Sequence, residues 1–209
     1  MIIINSISLV ELGQDRFKIP SGEITNFPLI KHLASKDLPL ILSTGMSRLE
    51  EIIAAVREIK RTRKICGYNQ LLSERLTVLH CTSAYPAPFE ALNLRALCTI
   101  QKELGLPTGY SDHSQGILIG PVAVALGATV LEKHFTTSRS LPGPDHAASI
   151  EPQELSELVN NIRIVEQSLG SSTKCPSPQE INLRGIVRRS ITASKDLTAG
   201  DTLDNTNVA

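Results

Sequence analysis

The sequence predicts an α/β protein whose main body is part of a (β/α)8 TIM barrel, about five βα units long. Three observations predict it. Short apolar runs alternate with amphipathic stretches five times between residues 15 and 170. The runs are continuously apolar, which means that both faces of their sheet are covered and that the strands are parallel. Every run also ends in small polar or ionisable residues. An open doubly wound sheet would instead gather them at one switch point behind a G-x-G-x-x-G turn, and no such turn follows the first strand.

The strands come in order. Asp15 to Pro20 reads as the first and leads into Ser21-Gly22-Glu23; Leu38 to Leu42 leads into Ser43-Thr44-Gly45-Met46. Leu76 to Cys81 leads into Thr82-Ser83-Ala84-Tyr85, Thr108-Gly109-Tyr110 into Ser111-Asp112-His113, and Thr129 to Phe135 into Thr136-Thr137. The helices between them carry their own signals. Ser47 with Glu50 reads as a capping box, after which Leu49, Ile52, Ile53, Val56 and Ile59 recur at helical spacing. Leu97, Ile100 and Leu104 make a second stripe, stopped by Gly105 and Pro107. Pro121 to Leu126 is a short apolar helix stopped by Gly127. Pro152 opens a longer one, whose Leu155, Leu158, Val159, Ile162, Val165 and Leu169 form a full face before Gly170. A complete barrel takes about 250 residues, so residues 1–170 read as the later part of one. Residues 171–187 read as a turn-rich linker, and residues 188–209, with short strand-like pieces around a turn at Lys195–Asp201, as the start of a second small domain.

Composition narrows the function. The chain has 209 residues, 21 basic against 21 acidic, with 41% hydrophobic residues. Balanced charge provides no field to gather a polyanion, so neither nucleic acid nor an acidic membrane surface is an expected partner. Charges interrupt each apolar run well short of the roughly 20 residues that span a bilayer. The opening Met1-Ile2-Ile3-Ile4-Asn5-Ser6 has no basic n-region, so a cytoplasmic protein is expected. Cys66, Cys81, Cys98 and Cys175 show no disulfide or metal spacing, and Cys81 reads as a small buried packing residue.

The strand ends carry the chemistry. His113 and His134 close successive strands, where two neutral imidazoles could share one divalent metal; the plainer reading is a pair of hydrogen-bonded structural histidines. Ser21, Ser43, Thr44, Ser83 and Ser111, with Lys18 as a cation, would suit a phosphate or carboxylate at the rim. Any one of these hydroxyls could equally be a helix cap. Glu23 and Asp145 could bind hydroxyls or handle protons, although exposed carboxylates are usually just solvated. His32 reads as a surface residue, and His146 has no comparable setting.

The segments Phe17 to Asn26, Leu42 to Met46, His80 to Pro86, Gly109 to His113, Glu132 to Phe135 and Pro142 to Asp145, in that order, closely resemble the sialic acid synthases. Those enzymes make nonulosonic acids by condensing phosphoenolpyruvate with an N-acylated hexosamine such as N-acetylmannosamine. The resemblance implies that His113 and His134 bind a divalent metal, usually manganese, with magnesium or cobalt as alternatives. It implies that Lys18, Ser21, Ser43 and Ser111 contact phosphoenolpyruvate, with Ser83 at a position where some members have Asn. Glu23, Tyr85 and Asp145 fall among the sugar-site residues, and Glu23 joins the two histidines as a catalytic candidate. The reaction implied is C–O cleavage of phosphoenolpyruvate: C3 attacks the open-chain aldehyde, C2 takes up water, and the tetrahedral intermediate expels phosphate.

Arg188 to Val208 resembles the opening of the family's antifreeze-like (SAF) domain. Ser21-Gly22-Glu23 favours the sialic or legionaminic branch over the pseudaminic one. Against the family pattern, the first three strands and the Arg-Pro-Gly segment of the antifreeze-like domain are missing. The expectation is therefore a fragment with little activity alone, of an enzyme that is a homodimer when intact. The alternatives are a metal-dependent aldolase or isomerase barrel and a non-catalytic carbohydrate-binding remnant.

Overall fold

A computed structural model describes residues 12–209, which divide into two compact units between Leu169 and Gly170. The first holds five strands: β1 (Phe17–Ile19), β2 (Leu40–Ser43), β3 (Leu76–Cys81), β4 (Thr108–Asp112) and β5 (Leu131–Lys133). They pair in sequence order, all parallel, with Lys18 beside Ile41, Cys81 beside Ser111, and Ser111 beside Glu132. Side chains alternate across the sheet. Phe17, Ile19, Leu40, Leu42, Leu76 and Val78 face outward and are buried in a cluster with residues of α1 (Phe27–Ala34) and α2 (Leu49–Ile65). Leu97 of α3 (Arg95–Leu104), Tyr110 and Ala123 of α4 (Ile119–Ala125) form a second outward cluster. Lys18, Ile41 and Thr77 take the other face and keep part of their surface open. That inner face is concave: Lys18 of the first strand reaches Glu132 of the last at 2.8 Å, so the sheet curls into half a barrel.

Local chemistry explains the helices. Asn26 caps α1 by accepting the Leu29 N–H at 3.2 Å, and Gly105 ends α3 in the left-handed region at φ 60°. The capping box expected at Ser47 and Glu50 is displaced by one residue. Arg48 is the N-cap of α2, and its N–H donates to the Glu51 carboxylate at 2.7 Å. Ser47 still belongs to the turn leaving β2, where its hydroxyl faces the Gly45 carbonyl at 3.4 Å. Gly120 lets α4 approach closely, since a Cβ there would lie 2.8 Å from Leu131 and 2.9 Å from Leu158 of α5 (Pro152–Leu169).

The expected buried face of α5 is covered only in part. Leu158 is 3% exposed, but Leu155, Val159 and Leu169 are 38%, 44% and 53% exposed. Among the described residues, only α4 makes an extensive packing partner for this helix.

In the second unit, the segment expected as a linker contains a helix, α6 (Pro178–Val187). Ser177 and Glu180 form its capping box, with Pro178 at N1, a signal hidden by the surrounding turn residues. Beyond it, the strand-like pieces reduce to a single antiparallel bridge between Ala193 and Val208. The expected turn is present, with Asp201 accepting the Thr198 N–H at 2.7 Å. Among the described residues, no helix is long and apolar enough to cross a membrane.

Candidate active site

A cavity of about 340 Å³ opens at the C-terminal ends of the five strands. Lys18 enters it from β1, Ser21 from the turn beyond, Ser43 from the end of β2 and Ser83 from the segment after β3. Tyr85, Ser111, His113 and His134 complete the predicted set that converges there. Three predicted residues stay out of its wall, the first being Thr44, which is buried with its hydroxyl donating to the Leu79 carbonyl at 2.9 Å. Glu23 accepts a 2.6 Å hydrogen bond at Oε2 from Asn26, the residue that caps α1, so a local contact engages one of its two oxygens. Asp145 lies at the rim, its side chain 63% exposed and 3.9 Å from Nδ1 of His134.

The cavity is organised around a carboxylate that sequence reasoning missed. Glu132 is held by Lys18 at 2.8 Å and accepts the Ser111 hydroxyl at 2.7 Å. Burial pushes the Glu132 carboxyl up, but the bonds from Lys18 and Ser111 outweigh it and hold it below the ordinary range. The signal was available: Glu132 and His134 are two apart on one strand, so they share a face.

Three groups line the opposite wall. Ser21 Oγ accepts the Gly45 N–H at 2.9 Å and lies 3.2 Å from Cys81 Sγ. A Cβ on Gly45 would crowd Ser21, Cys81 and Ser83, so only glycine lets these side chains meet. Cys81 is buried as expected, and it also forms part of the wall. Ser43, 3% exposed, has a buried hydroxyl with no hydrogen-bond partner. Leaving such a group unsatisfied costs about 1–3 kcal/mol, so Ser43 has unused hydrogen-bonding capacity in this wall.

The two imidazoles stand 5.5 Å apart between ring centroids. Nδ1 of His113 lies 2.7 Å from the Thr82 carbonyl, a contact that requires the proton on Nδ1 and leaves the neutral ring's lone pair on Nε2. Burial depresses the His113 pKa, and the neighbouring His134 adds to that, against the opposing Thr82 bond. A neutral ring with an oriented lone pair suits a borderline divalent cation. Among the described residues, no group of three or more His, Cys, Asp and Glu side chains could enclose a metal. Both histidines line the cavity, as the sequence expected. The Tyr85 ring covers His113 at 4.3 Å and meets His134 edge-on at 5.3 Å. His146 is engaged elsewhere, 2.7 Å from the Thr136 hydroxyl.

Comparison with known proteins bears on this arrangement. A family model described as the NeuB family matches residues 4–174. The chain is 52% identical over 192 residues to an N,N'-diacetyllegionaminic acid synthase of Legionella pneumophila, covering 92% of this chain and 52% of that protein. It is 44% identical over 206 residues to the synthase of the same name from Campylobacter jejuni, covering 98% of this chain and 60% of that one. Among solved structures, an N-acetylneuraminic acid synthetase of Leptospira borgpetersenii superposes with a TM-score of 0.77 at 36% identity, over 90% of this chain and 63% of that chain. The chain thus spans about half the length of the curated relatives it matches.

Proposed function

The chain belongs to the NeuB family, and on that premise we propose that its cavity serves the condensation of phosphoenolpyruvate with an N-acylated hexosamine to a nonulosonic acid, with release of phosphate. The observation that carries this reading is the convergence of Lys18, four serine hydroxyls and two imidazoles on one cavity. Lys18 and Ser111 already surround a carboxylate, and Ser43 offers a buried hydroxyl with nothing to bind.

The residues' work follows from their chemistry. Lys18, Ser21, Ser43 and Ser111 would hold the phosphate and carboxylate of phosphoenolpyruvate, charge-assisted where Lys18 takes part, so that its C3 points at the aldehyde. Glu132 would keep Lys18 aimed and balance its charge. A divalent metal, manganese by the resemblance, would be held by His113 and His134, and when bound it supplies Lewis acidity toward a carbonyl oxygen. Tyr85, half in solvent at 56% exposure, and Asp145 at the rim fit the sugar end of the cavity. Glu23 would join them through the acceptor sites that Asn26 leaves unused. When the new C–C bond forms, the aldehyde oxygen takes up a proton; water then adds at C2, and phosphate leaves with the C2–O electrons. Hydroxyls fixed around that phosphate stabilise the departing charge.

The test is to incubate the protein with phosphoenolpyruvate, Mn²⁺ and either N-acetylmannosamine or its diacetylated relative, and to assay phosphate and ketosugar acid. Stoichiometric appearance of both is expected. Phosphate without ketosugar acid, or binding of neither substrate, would overturn the proposal.

A further inference from the structure

Behind the histidines, on the face of the sheet away from the cavity, lies a buried ion pair outside the site described above. Lys133 Nζ is 2.9 Å from Asp112 Oδ2, with the side chains 5% and 0% exposed. The same ammonium donates to the Ser114 carbonyl at 2.8 Å. The other Asp112 oxygen accepts the Ser114 N–H at 2.9 Å and its hydroxyl at 2.6 Å. Both backbone polar groups of Ser114 are therefore tied to this pair. Its surroundings are apolar, with Leu131, Phe135, Ile150 and Leu158 lining the same hollow as Lys133.

A buried ion pair is a poor way to fill such a space. Apolar residues of similar volume usually pack there with equal or greater stability, so the pair's value has to lie in geometry. Its position supplies one. The last register pair between β4 and β5 is Asp112 with Lys133. His113 and His134 are the next residue on each strand, the first beyond the register pairs, and their carbonyls accept from other segments, His113 from the Ala87 N–H at 2.8 Å and His134 from the Ile150 N–H at 2.9 Å. The clamp ties the side chains of the last rung before them. It joins the residues before and after His113 to the residue before His134.

We propose that Asp112, Lys133 and Ser114 form the positioning element that sets the spacing of His113 and His134, and through it the affinity of the two-imidazole site for a divalent cation. This rests on the metal-site reading given above. None of the three touches the cavity; they act through the histidines.

The experiment is a Mn²⁺ titration, followed by electron paramagnetic resonance, of the full 209-residue chain and its variants. His113→Ala tests the site itself. Asp112→Leu combined with Lys133→Leu removes the clamp and keeps the space filled. The parent is expected to bind Mn²⁺ and His113→Ala to lose it. The double variant, with circular dichroism unchanged, is expected to bind about 10- to 100-fold more weakly, the usual loss when groups supporting metal ligands are removed. Phosphoenolpyruvate affinity measured without metal should stay at the parent value, a split that a general loosening of the fold would not produce. Lys133→Arg, which keeps charge and reach, should restore Mn²⁺ binding. Should the double variant fail to fold, Asp112→Asn must itself weaken Mn²⁺ in a folded protein. Parent-like affinity in the folded clamp variants, with loss in His113→Ala, would overturn the positioning role alone. Absence of binding in the parent, or binding that survives His113→Ala, would overturn the metal-site reading and this proposal with it.

Discussion

Lys18 and Ser43 differ in how the protein satisfies them. Lys18 is satisfied by Glu132, whereas the Ser43 hydroxyl is buried without a partner. Replacing Lys18 with Met keeps the stem and deletes the charge, so phosphoenolpyruvate binding should weaken by about 1.5–3 kcal/mol, the range for a charge-assisted bond. Calorimetry should find the sugar much less affected; equal loss for both ligands would point to a folding defect instead. Ser43→Ala should separate stability from function. Deleting an unsatisfied buried hydroxyl should leave the ligand-free protein unchanged or stabler by up to about 1 kcal/mol while weakening phosphoenolpyruvate. A variant destabilised in urea titrations, with unchanged substrate affinity, would remove Ser43 from the site.

At the scale of elements, the half-barrel is tied together at the end remote from the cavity by a second ion pair. Arg63 in the last turn of α2 is 4% exposed at its side chain and donates to Asp37 at 2.8 Å, in the segment between α1 and β2. It also lies 5.1 Å from the centre of the Tyr68 ring, whose hydroxyl donates to the Ser35 carbonyl just beyond α1. Burial pushes the Asp37 carboxyl up, but the bonds from Arg63 and Gln70, with the charges of Arg63 and Arg75, leave it below the ordinary 3.8. A depressed carboxylate contributes stability that is fully present above the unfolded pKa and lost as pH falls through the folded one. Asp37→Asn tolerates the same left-handed backbone, φ 52° at this position. The parent's stability advantage over it should be constant from neutral pH down to about 4 and shrink below that. A urea-unfolding series that keeps the same difference at pH 7 and pH 3 would show that Asp37 is not the titrating group.

For the molecule as a whole, the consequence of curling five strands is an open inner face. Among the described residues β1 and β5 each have one strand neighbour, and Phe135, Leu155 and Val159 are 51%, 38% and 44% exposed along the β5 side. Unpaired parallel edges beside apolar surface favour association. The 209-residue polypeptide by itself is expected to self-associate in sedimentation velocity and to turn over slowly, because loosely held groups lose the positioning that supplies much of the rate. Fusing to it the parts of the Legionella relative that lie outside the matched region should raise both monodispersity and turnover. Full turnover by the monomeric 209-residue chain would refute the expectation.

Element order, helix stops and most of the cavity were legible in the sequence because each is written within a few residues. Continuous apolar runs marked parallel strands, although their inner face is partly open; Gly105 marked a helix end, and polar residues at strand ends marked the rim that collects Lys18, Ser43, Ser111 and both histidines. Other features depend on groups brought together from distant parts of the chain. Glu132 became the partner of Lys18, 114 residues away, only because the sheet curls. Asp112 and Lys133 looked like ordinary charged residues until register set them face to face in an apolar hollow. The exposed flank of α5 carries an apolar pattern that would equally fit a buried helix. Periodicity and capping are properties of one segment, so sequence determined them. Convergence and burial are properties of several segments at once, and only the tertiary structure decided which side chains meet and which remain open.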